Sequence, residues 1–453
     1  MTEKIGMKLF TAFSFVRHSI FVVVSVVCMA AFPMLANAID IQEVTSPGGI
    51  KAWLVEAHEI PLVAMNFAFN GGTINDPIGK DGTGNFLTGM MDEGAADMDG
   101  PAFRDLRDRL SISISFSAAS ESFYGSLYTL SKNRDAAFNL LTKAVTAPRF
   151  EAEPLDRMRK YYLQQEADML KDPGTIASLA WTEAAFPNHP YSRSSNGTID
   201  TLGKISADDL RQFHKTVFTR HKLKIAVVGD IDAKTLGLEL DRVFGSLPDT
   251  PVPDVVPSVE VKTGLELKII DFDSPQSIVI FGGKGTPPAE KKDYPAYILS
   301  EIIGGGASFA RLTREVREKR GLTYGTSFSL NNFNKAGYSF GYLTTANETA
   351  AEAIRVTRQV LQDMADNGPT PEEMSLAKTY ITGSYAMRFT SNSAIASTLL
   401  AQQLYDYPIN QTNIRNDKVN AVTIEQVRDQ AKKLLQSDQL NIVVIGKPVG
   451  LGK

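Results

Sequence analysis

Alternating apolar and polar positions mark residues 111–118, SISISFSA, and residues 121–130, ESFYGSLYTL, as two strands around a short turn. That pattern predicts an antiparallel hairpin with one buried face. Four other segments are continuous β-branched or apolar runs: LVAMNFAFNGG (62–72), LKIAVVG (223–229), SIVIFGGKG (277–285) and LNIVVIG (440–446). They read as buried strands. Helical spacing appears in NRDAAFNLLTKAV (133–145), EPLDRMRKYYLQQEADMLK (153–171), ADDLRQFHKTVF (207–218) and IEQVRDQAKKLLQ (424–436). The first of these carries its acidic residue early and its basic residue late, as the helix dipole favours.

The order of these elements repeats. Residues 223–229 and 440–446 agree at Leu, Ile, Val and Gly with the same spacing, and each follows an amphipathic helix. Residues 62–72 and 277–285 each open a half, and each is followed by a polar loop and then a helix. A duplicated unit accounts for all of this. The fold class expected is α+β: two homologous domains, each an antiparallel sheet with helices packed on one side. A chain of 453 residues suits two domains. Between the halves, Pro248, Pro251, Pro253 and Pro257 prevent helix and favour an extended connector. The expected organisation is a signal segment 1–38, a first domain 39–245, a linker 246–260 and a second domain 261–453.

Composition narrows the function. Hydrophobic content of 43% and charged content of 22% describe a folded globular chain. At the N-terminus Lys4, Lys8 and Arg17 precede the apolar run SIFVVVSVVCMAAFPML, which ends in Ala36-Asn37-Ala38. This is the layout of a cleaved secretory signal. An uncleaved anchor is the rival reading, but the run falls short of the ~20 residues of a membrane span and is broken by Pro33. The expectation is therefore a periplasmic or secreted protein, cleaved near Ala38, with no stable membrane anchor. The one cysteine, Cys28, lies within the signal behind Val26 and Val27, which are too bulky for a lipoprotein cleavage box. The mature chain thus has no disulfide, thiolate metal site or cysteine nucleophile. A net charge of −4, with no basic run, argues against nucleic acid as a partner.

The segment GKDGTGNFLTGMMDEGA, residues 79–95, resembles the metal helix of the pitrilysin/insulinase family of zinc metallopeptidases, whose inverted zincin motif is H-x-x-E-H. The motif works because histidines four apart share a helix face and bind Zn²⁺, while the Glu takes a proton from the metal-bound water. Here the motif positions read Asn85-Phe86-Leu87-Thr88-Gly89, and Asn85, Thr88 and Gly89 can do neither job. In the family a third ligand, a Glu, stands 76 residues beyond the second histidine, and residues 90–165 number 76, which places Glu166 at that position. On the resemblance Glu166 is a surviving ligand position; on its helical context alone it is a solvated glutamate. His58, His189, His214 and His221 offer no closely spaced pair on one helix face. His189, in PNHPY, reads as a turn element, and the others as surface or packing residues. No metal is expected in this chain. Glu93 and Asp97, beside the degenerate motif, are expected to be surface or interface groups.

In the second half, residues 304–325 read GGGASFARLTREVREKRGLTYG. Gly304, Gly305 and Gly306 suggest a flexible turn opening a helix whose amides could accept a carboxylate or a peptide carbonyl; an ordinary helix-entry loop is the alternative. In REKRGLTY, Arg317 and Tyr324 have the spacing of the family's Arg/Tyr pair, which active members supply from the second domain to face the zinc of the first. Tyr can donate to the oxyanion forming at the scissile carbonyl, and Arg can hold a substrate carbonyl or carboxylate. Arg317 on a solvated helix face and Tyr324 packed at a strand edge are the competing readings.

Two-chain bacterial members of the family divide these features between a zinc-bearing subunit and an inactive one that carries the Arg/Tyr pair. The resemblance, which spans nearly all of the mature chain, implies the second kind: a non-catalytic subunit that cleaves peptides together with a zinc-bearing homologue. A peptide-binding scaffold without a catalytic role is the alternative. A self-sufficient peptidase ranks last, for want of a spaced ligand set.

Overall fold

The computed structural model describes residues 39–452 except Val255, Leu265, Glu266 and Lys291. The expected signal segment and its cleavage position lie outside the described residues. Two sheets form the frame. The first contains β1 (Gln42–Thr45), β2 (Lys51–Glu56), β3 (Leu62–Asn70), β4 (Ser113–Ala118), β5 (Ser122–Leu130) and β6 (Lys224–Gly229), ordered β1-β2-β6-β3-β5-β4. The second contains β7 (Lys268–Asp271), β8 (Gln276–Gly282), β9 (Gly325–Asn332), β10 (Gly337–Ala346) and β11 (Asn441–Gly446), ordered β9-β10-β8-β11-β7. Taken from its other edge, this order repeats β2-β6-β3-β5-β4 strand for strand, so the duplicated unit is present in the topology. Each sheet is antiparallel apart from one pair: β2 runs parallel to β6, and β7 to β11.

The repeat extends to a packing device. Phe67 on β3 faces Gly125 on β5, and Phe281 on β8 faces Gly341 on β10. A β-carbon on Gly125 would lie 2.1 Å from the Phe67 ring, and one on Gly341 would lie 2.3 Å from the Phe281 ring. In both sheets glycine is required because an aromatic ring from the neighbouring strand crosses its place.

The helices that frame the site are α1 (Thr83–Thr88), α2 (Arg134–Thr146), α3 (Ala152–Met169), α4 (Pro173–Ala185), α5 (Ala207–Val217), α6 (Ala233–Phe244), α7 (Tyr294–Gly304), α8 (Ala350–Asn367), α9 (Asn392–Leu404) and α10 (Ile424–Leu434). Ser206 caps α5 with Asp209, and Thr423 caps α10 with Gln426, each in a reciprocal capping box. One face of the first sheet, with Met65, Phe67 and Val227, packs on α2, α5 and α6. The equivalent face of the second, with Phe281, Ile442 and Val444, packs on α7, α8 and α10.

The opposite faces are covered reciprocally. Helix α4, from the first half, lays Ala177, Ala180 and Trp181 against Ile280, Val443 and Ile445 of the second sheet. Trp181 Nε1 donates to the Asn441 carbonyl at 3.2 Å. Helix α9, from the second half, crosses β3 and β6 of the first sheet. There Gln403 Nε2 donates to the Ile225 carbonyl at 2.8 Å, and the Asn66 amide meets the Ser397 hydroxyl at 2.8 Å. Strands apolar on both faces need cover on both, and each half lends the other one helix. The proline-rich connector is itself packed, burying Val252, Val256 and Val261. Among the described residues no helix is long and apolar enough to cross a membrane.

Candidate functional site

Two separate places carry the candidate residues. The first surrounds α1. Gly82 caps this short helix with a positive φ of 93°, and the buried Asp76 carboxylate accepts from the Gly82 and Gly84 amides at 2.7 and 2.8 Å. Burial pushes the Asp76 carboxyl up to about 7, against the opposing pull of those two amides. Phe86 and Leu87 are fully buried, which fixes the rotation of the helix and brings Asn85, Thr88 and Gly89 toward α3. Asn85 Nδ2 donates to Asn196 Oδ1 at 3.2 Å, and Thr88 Oγ1 donates back to the Asn85 carbonyl at 2.7 Å.

Helix α1 ends at Thr88 with Gly89 as its cap, and the space beside Gly89 is filled. A β-carbon there would lie 2.5 Å from the Tyr162 hydroxyl and 2.6 Å from the Met158 methyl, both on α3. Tyr162 donates to the Asn85 carbonyl at 3.2 Å, reaches Thr88 Oγ1 at 3.4 Å and packs on Phe86 with ring centroids 5.1 Å apart. Zinc chemistry therefore does not fit this site. Its ligands are replaced, and its second histidine position has no room for an imidazole.

Glu166 lies one turn beyond Tyr162 and is 5% exposed, not solvated. Its carboxylate has no hydrogen-bond or ion-pair partner among the described residues, and burial alone raises its proton affinity. Among the described residues no three His, Cys, Asp or Glu side chains group so as to hold a metal ion. The histidines have other work. His214 Nε2 meets the Val145 carbonyl at 2.8 Å, His58 Nδ1 meets Asp230 at 2.8 Å, and His189 Nδ1 accepts from the Tyr191 amide at 3.2 Å. The expected surface position of Glu93 is corrected: it is 8% exposed, clamped by Arg104 at 2.7 Å and by Arg157. Two guanidiniums satisfy the carboxylate and permit its burial. Asp97 is exposed and pairs with Lys143.

The second place lies between α7 and β9. Gly304 ends α7, Gly305 caps it, and Gly306 has a φ of 84°. The glycine triplet thus closes one helix, and the next helical residue is Arg311. Gly304 is needed for close approach, since a β-carbon there would lie 2.4 Å from the Phe328 amide of β9. Arg311, which the sequence pattern alone does not single out, anchors the segment after it. Its guanidinium makes a two-pronged contact with Glu373 at 2.6 and 2.8 Å, meets Asp363 at 2.8 Å and donates to the Gly368 carbonyl at 2.8 Å. Burial raises the Glu373 carboxyl, but the bonds from Arg311 and the Thr370 amide and the charges of Arg311 and Arg314 together more than offset this and leave it lowered.

From this anchor Thr313–Glu318 winds as a π-helix, a rare form that is frequent at functional sites. Of the five cations between residues 311 and 320, Arg311 and Arg314 are held by Glu373, and Lys319 and Arg320 by Glu315. Arg317 is exposed and has no side-chain partner among the described residues. Gly321 then turns the chain with a φ of 62°, and Tyr324, 72% exposed, projects at the start of β9. The exposure of Arg317 is also what a solvated helix face gives, whereas Tyr324 is not packed at the strand edge.

A cavity of about 510 Å³ between the halves, lined by Glu121, Lys224 and Lys335 among others, contains none of these residues.

Comparison with known proteins agrees with this geometry. The sequence profile of the Peptidase M16 inactive domain matches residues 204–381. A Helicobacter pylori protein described as the non-peptidase homolog YmxG is 23% identical over 414 residues, covering 90% of this chain and 94% of the relative. The crystal structure of a peptidase M16 inactive domain from Pseudomonas fluorescens superposes with a TM-score of 0.84 at 27% identity, covering 91% of this chain and 99% of that one. A protease from Helicobacter pylori shares the fold, with a TM-score of 0.81 at 15% identity, covering 90% and 100%. With its zinc motif replaced and the motif's space occupied, this chain is similar over most of its length to inactive members of the pitrilysin/insulinase, or M16, family.

Proposed function

We propose that this chain is the non-catalytic subunit of an exported two-chain zinc peptidase. On this reading it lends Arg317 and Tyr324 to the active site of a zinc-bearing homologue, where peptide bonds are cleaved. The observation that carries the proposal is the contrast between the two places. The space beside the chain's own second histidine position is filled by Tyr162, whereas Arg317 has no side-chain partner among the described residues in a run where every other cation is paired, and Tyr324, seven residues on, stands exposed. On this reading, groups with no side-chain partner among the described residues, on a segment anchored by a buried ion-pair cluster, would act on a second chain. In the complex Tyr324 would donate to the oxyanion and Arg317 would hold a substrate carbonyl.

The test is co-expression with a homologue that has an intact H-x-x-E-H motif, followed by peptide-cleavage assays on each chain and on the purified complex. Activity confined to the complex supports the proposal. A stable complex no more active than the zinc-bearing chain alone would favour a peptide-binding scaffold instead.

A further inference from the structure

A second cavity, of about 360 Å³, lies wholly within the second half, between α7, α9, the segment Ser384–Phe389 and the helix Gln411–Ala421. Its walls hold groups that the fold does not use. Arg388 is exposed and has no ion pair or side-chain hydrogen bond among the described residues. Gln402 and Gln411, 7% and 3% exposed, spend their amide nitrogens within the protein: Gln402 on Tyr385 and Thr412, both at 3.1 Å, and Gln411 on Tyr294 at 2.6 Å. The Oε1 atoms of both are buried without a partner. Buried acceptors are rarely left unpaired, and two of them lining one cavity call for a donor from outside the chain.

The remaining chemistry gives the class of ligand. The Arg415 guanidinium lies over the ring of Tyr385, 4.2 Å from its centroid, and 5.8 Å from that of Tyr297, so cation and aromatic faces adjoin. Of the nearby carboxylates, Asp293 is engaged in capping α7 and in accepting from Gln430 at 2.6 Å. Glu301 is packed against Gly305, with burial raising its proton affinity despite the two arginines. An anion-seeking wall, two acceptors that want N–H donors and flat apolar faces occur together. A peptide terminus supplies all three complements within one residue of itself, whereas a simple anion supplies only the first.

We propose that this cavity captures the C-terminal end of a peptide. The terminal carboxylate pairs with Arg388, backbone N–H groups bond the Gln402 and Gln411 oxygens, and an apolar or aromatic terminal side chain packs on Tyr297 and Tyr385. The site belongs to this chain alone and does not depend on the partner-subunit reading.

Isothermal titration of the single chain with N-acetyl-leucyl-phenylalanine, and with the same dipeptide as its C-terminal amide, tests this directly. The free acid is expected to bind saturably, and the amide at least tenfold more weakly. Arg388→Gln, at an exposed residue, is expected to remove the preference for the acid while the variant still unfolds cooperatively. Thr398→Trp, which fills the cavity from α9, is expected to abolish binding of both. The proposal is overturned if acid and amide bind alike, if neither binds, or if Arg388→Gln has no effect. It also falls if inorganic phosphate binds as tightly as the dipeptide and displaces it, which would make the cavity a simple anion site.

Discussion

The Tyr162 hydroxyl lies 2.5 Å from the point where a β-carbon on Gly89 would be. The chain has therefore lost both its metal ligands and the room for them. Replacing Asn85, Thr88 and Gly89 by His, Glu and His restores the motif and leaves Glu166 as the third ligand, yet this triple variant is expected to purify without zinc. Overpacking against Tyr162 and Met158 should also cost it about 1–3 kcal/mol of stability. Adding Tyr162→Ala and Met158→Ala is expected to admit the metal. Metal analysis of the two variants decides: one zinc per chain with Tyr162 in place would show that the tyrosine is no obstacle.

Glu166 makes a second prediction, through pH. Its carboxyl is raised above the ordinary value of 4.5 by burial, with no charge or hydrogen bond to offset it. Over the window between the unfolded and the raised folded value, the folded state holds more protons than the unfolded one, so stability falls as pH rises through it. Glu166→Gln removes that loss. The variant should melt higher than the parent at pH about 8, and its advantage should shrink to nothing near pH about 3, where the acid is neutral in both states. An advantage of the same size at both pH values would point to packing instead.

Arg317 and Tyr324 are expected to matter for catalysis and not for stability. In the assembled complex Tyr324→Phe should lower kcat by about 10²–10³, the range for loss of one oxyanion donor. Arg317→Ala should act mainly on KM, because it removes a substrate contact. Neither should shift the melting temperature of the isolated chain, since neither side chain packs against it. Full activity of both variants in a verified complex would remove them from the site.

Glu373 should behave in the opposite way. It neutralises the buried Arg311 and caps the helix Pro371–Gly383 through Thr370. Glu373→Ala leaves a buried guanidinium with the half-exposed Asp363 as its one remaining carboxylate partner among the described residues and the Gly368 carbonyl, at a cost of about 3–5 kcal/mol. The π-helix carrying Arg317 loses its anchor at the same time. Denaturant unfolding of the single chain should show the loss, and the complex should lose activity in parallel; an unchanged unfolding midpoint would refute the anchoring role.

How far the sequence is legible depends on the range of the interactions. Leu223–Gly229 and Leu440–Gly446 can be read as buried strands because a continuous apolar run states its own burial, and their likeness reveals the duplication. The parallel neighbours of those strands, and the helix exchanged across each sheet, depend on contacts between segments far apart in the chain. Asn85, Thr88 and Gly89 show that metal ligands are absent, yet the plug is Tyr162, which reads locally as one more apolar helix position. Glu93 looks exposed because a charge in sequence does not display its counterions; Arg104 and Arg157 come from two separate helices, Gly100–Arg109 and Ala152–Met169. Arg311 is hidden in the same way among the charges of RLTREVREKR, where only the fold separates the buried cation from the solvated ones.

The exchange of α4 and α9 leads to a last prediction, about the division into residues 39–245 and 261–453. Each half places a helix on the other's sheet: Trp181 is buried against Tyr338 and Phe340, and Gln403 reaches the Ile225 carbonyl. Expressed alone, either half would expose one sheet face and one apolar helix, a surface too large to leave open to water. Neither half should therefore fold alone, whereas the two co-expressed as separate chains should assemble. Cleavage within 246–258 should leave the halves associated under native conditions. Trp181→Ala should cost about 3–5 kcal/mol and shift a single unfolding transition, because the cavity it opens belongs to both halves. Two separate transitions in that variant, or a cooperatively folded isolated half, would show that the exchanged helices join the domains without making them interdependent.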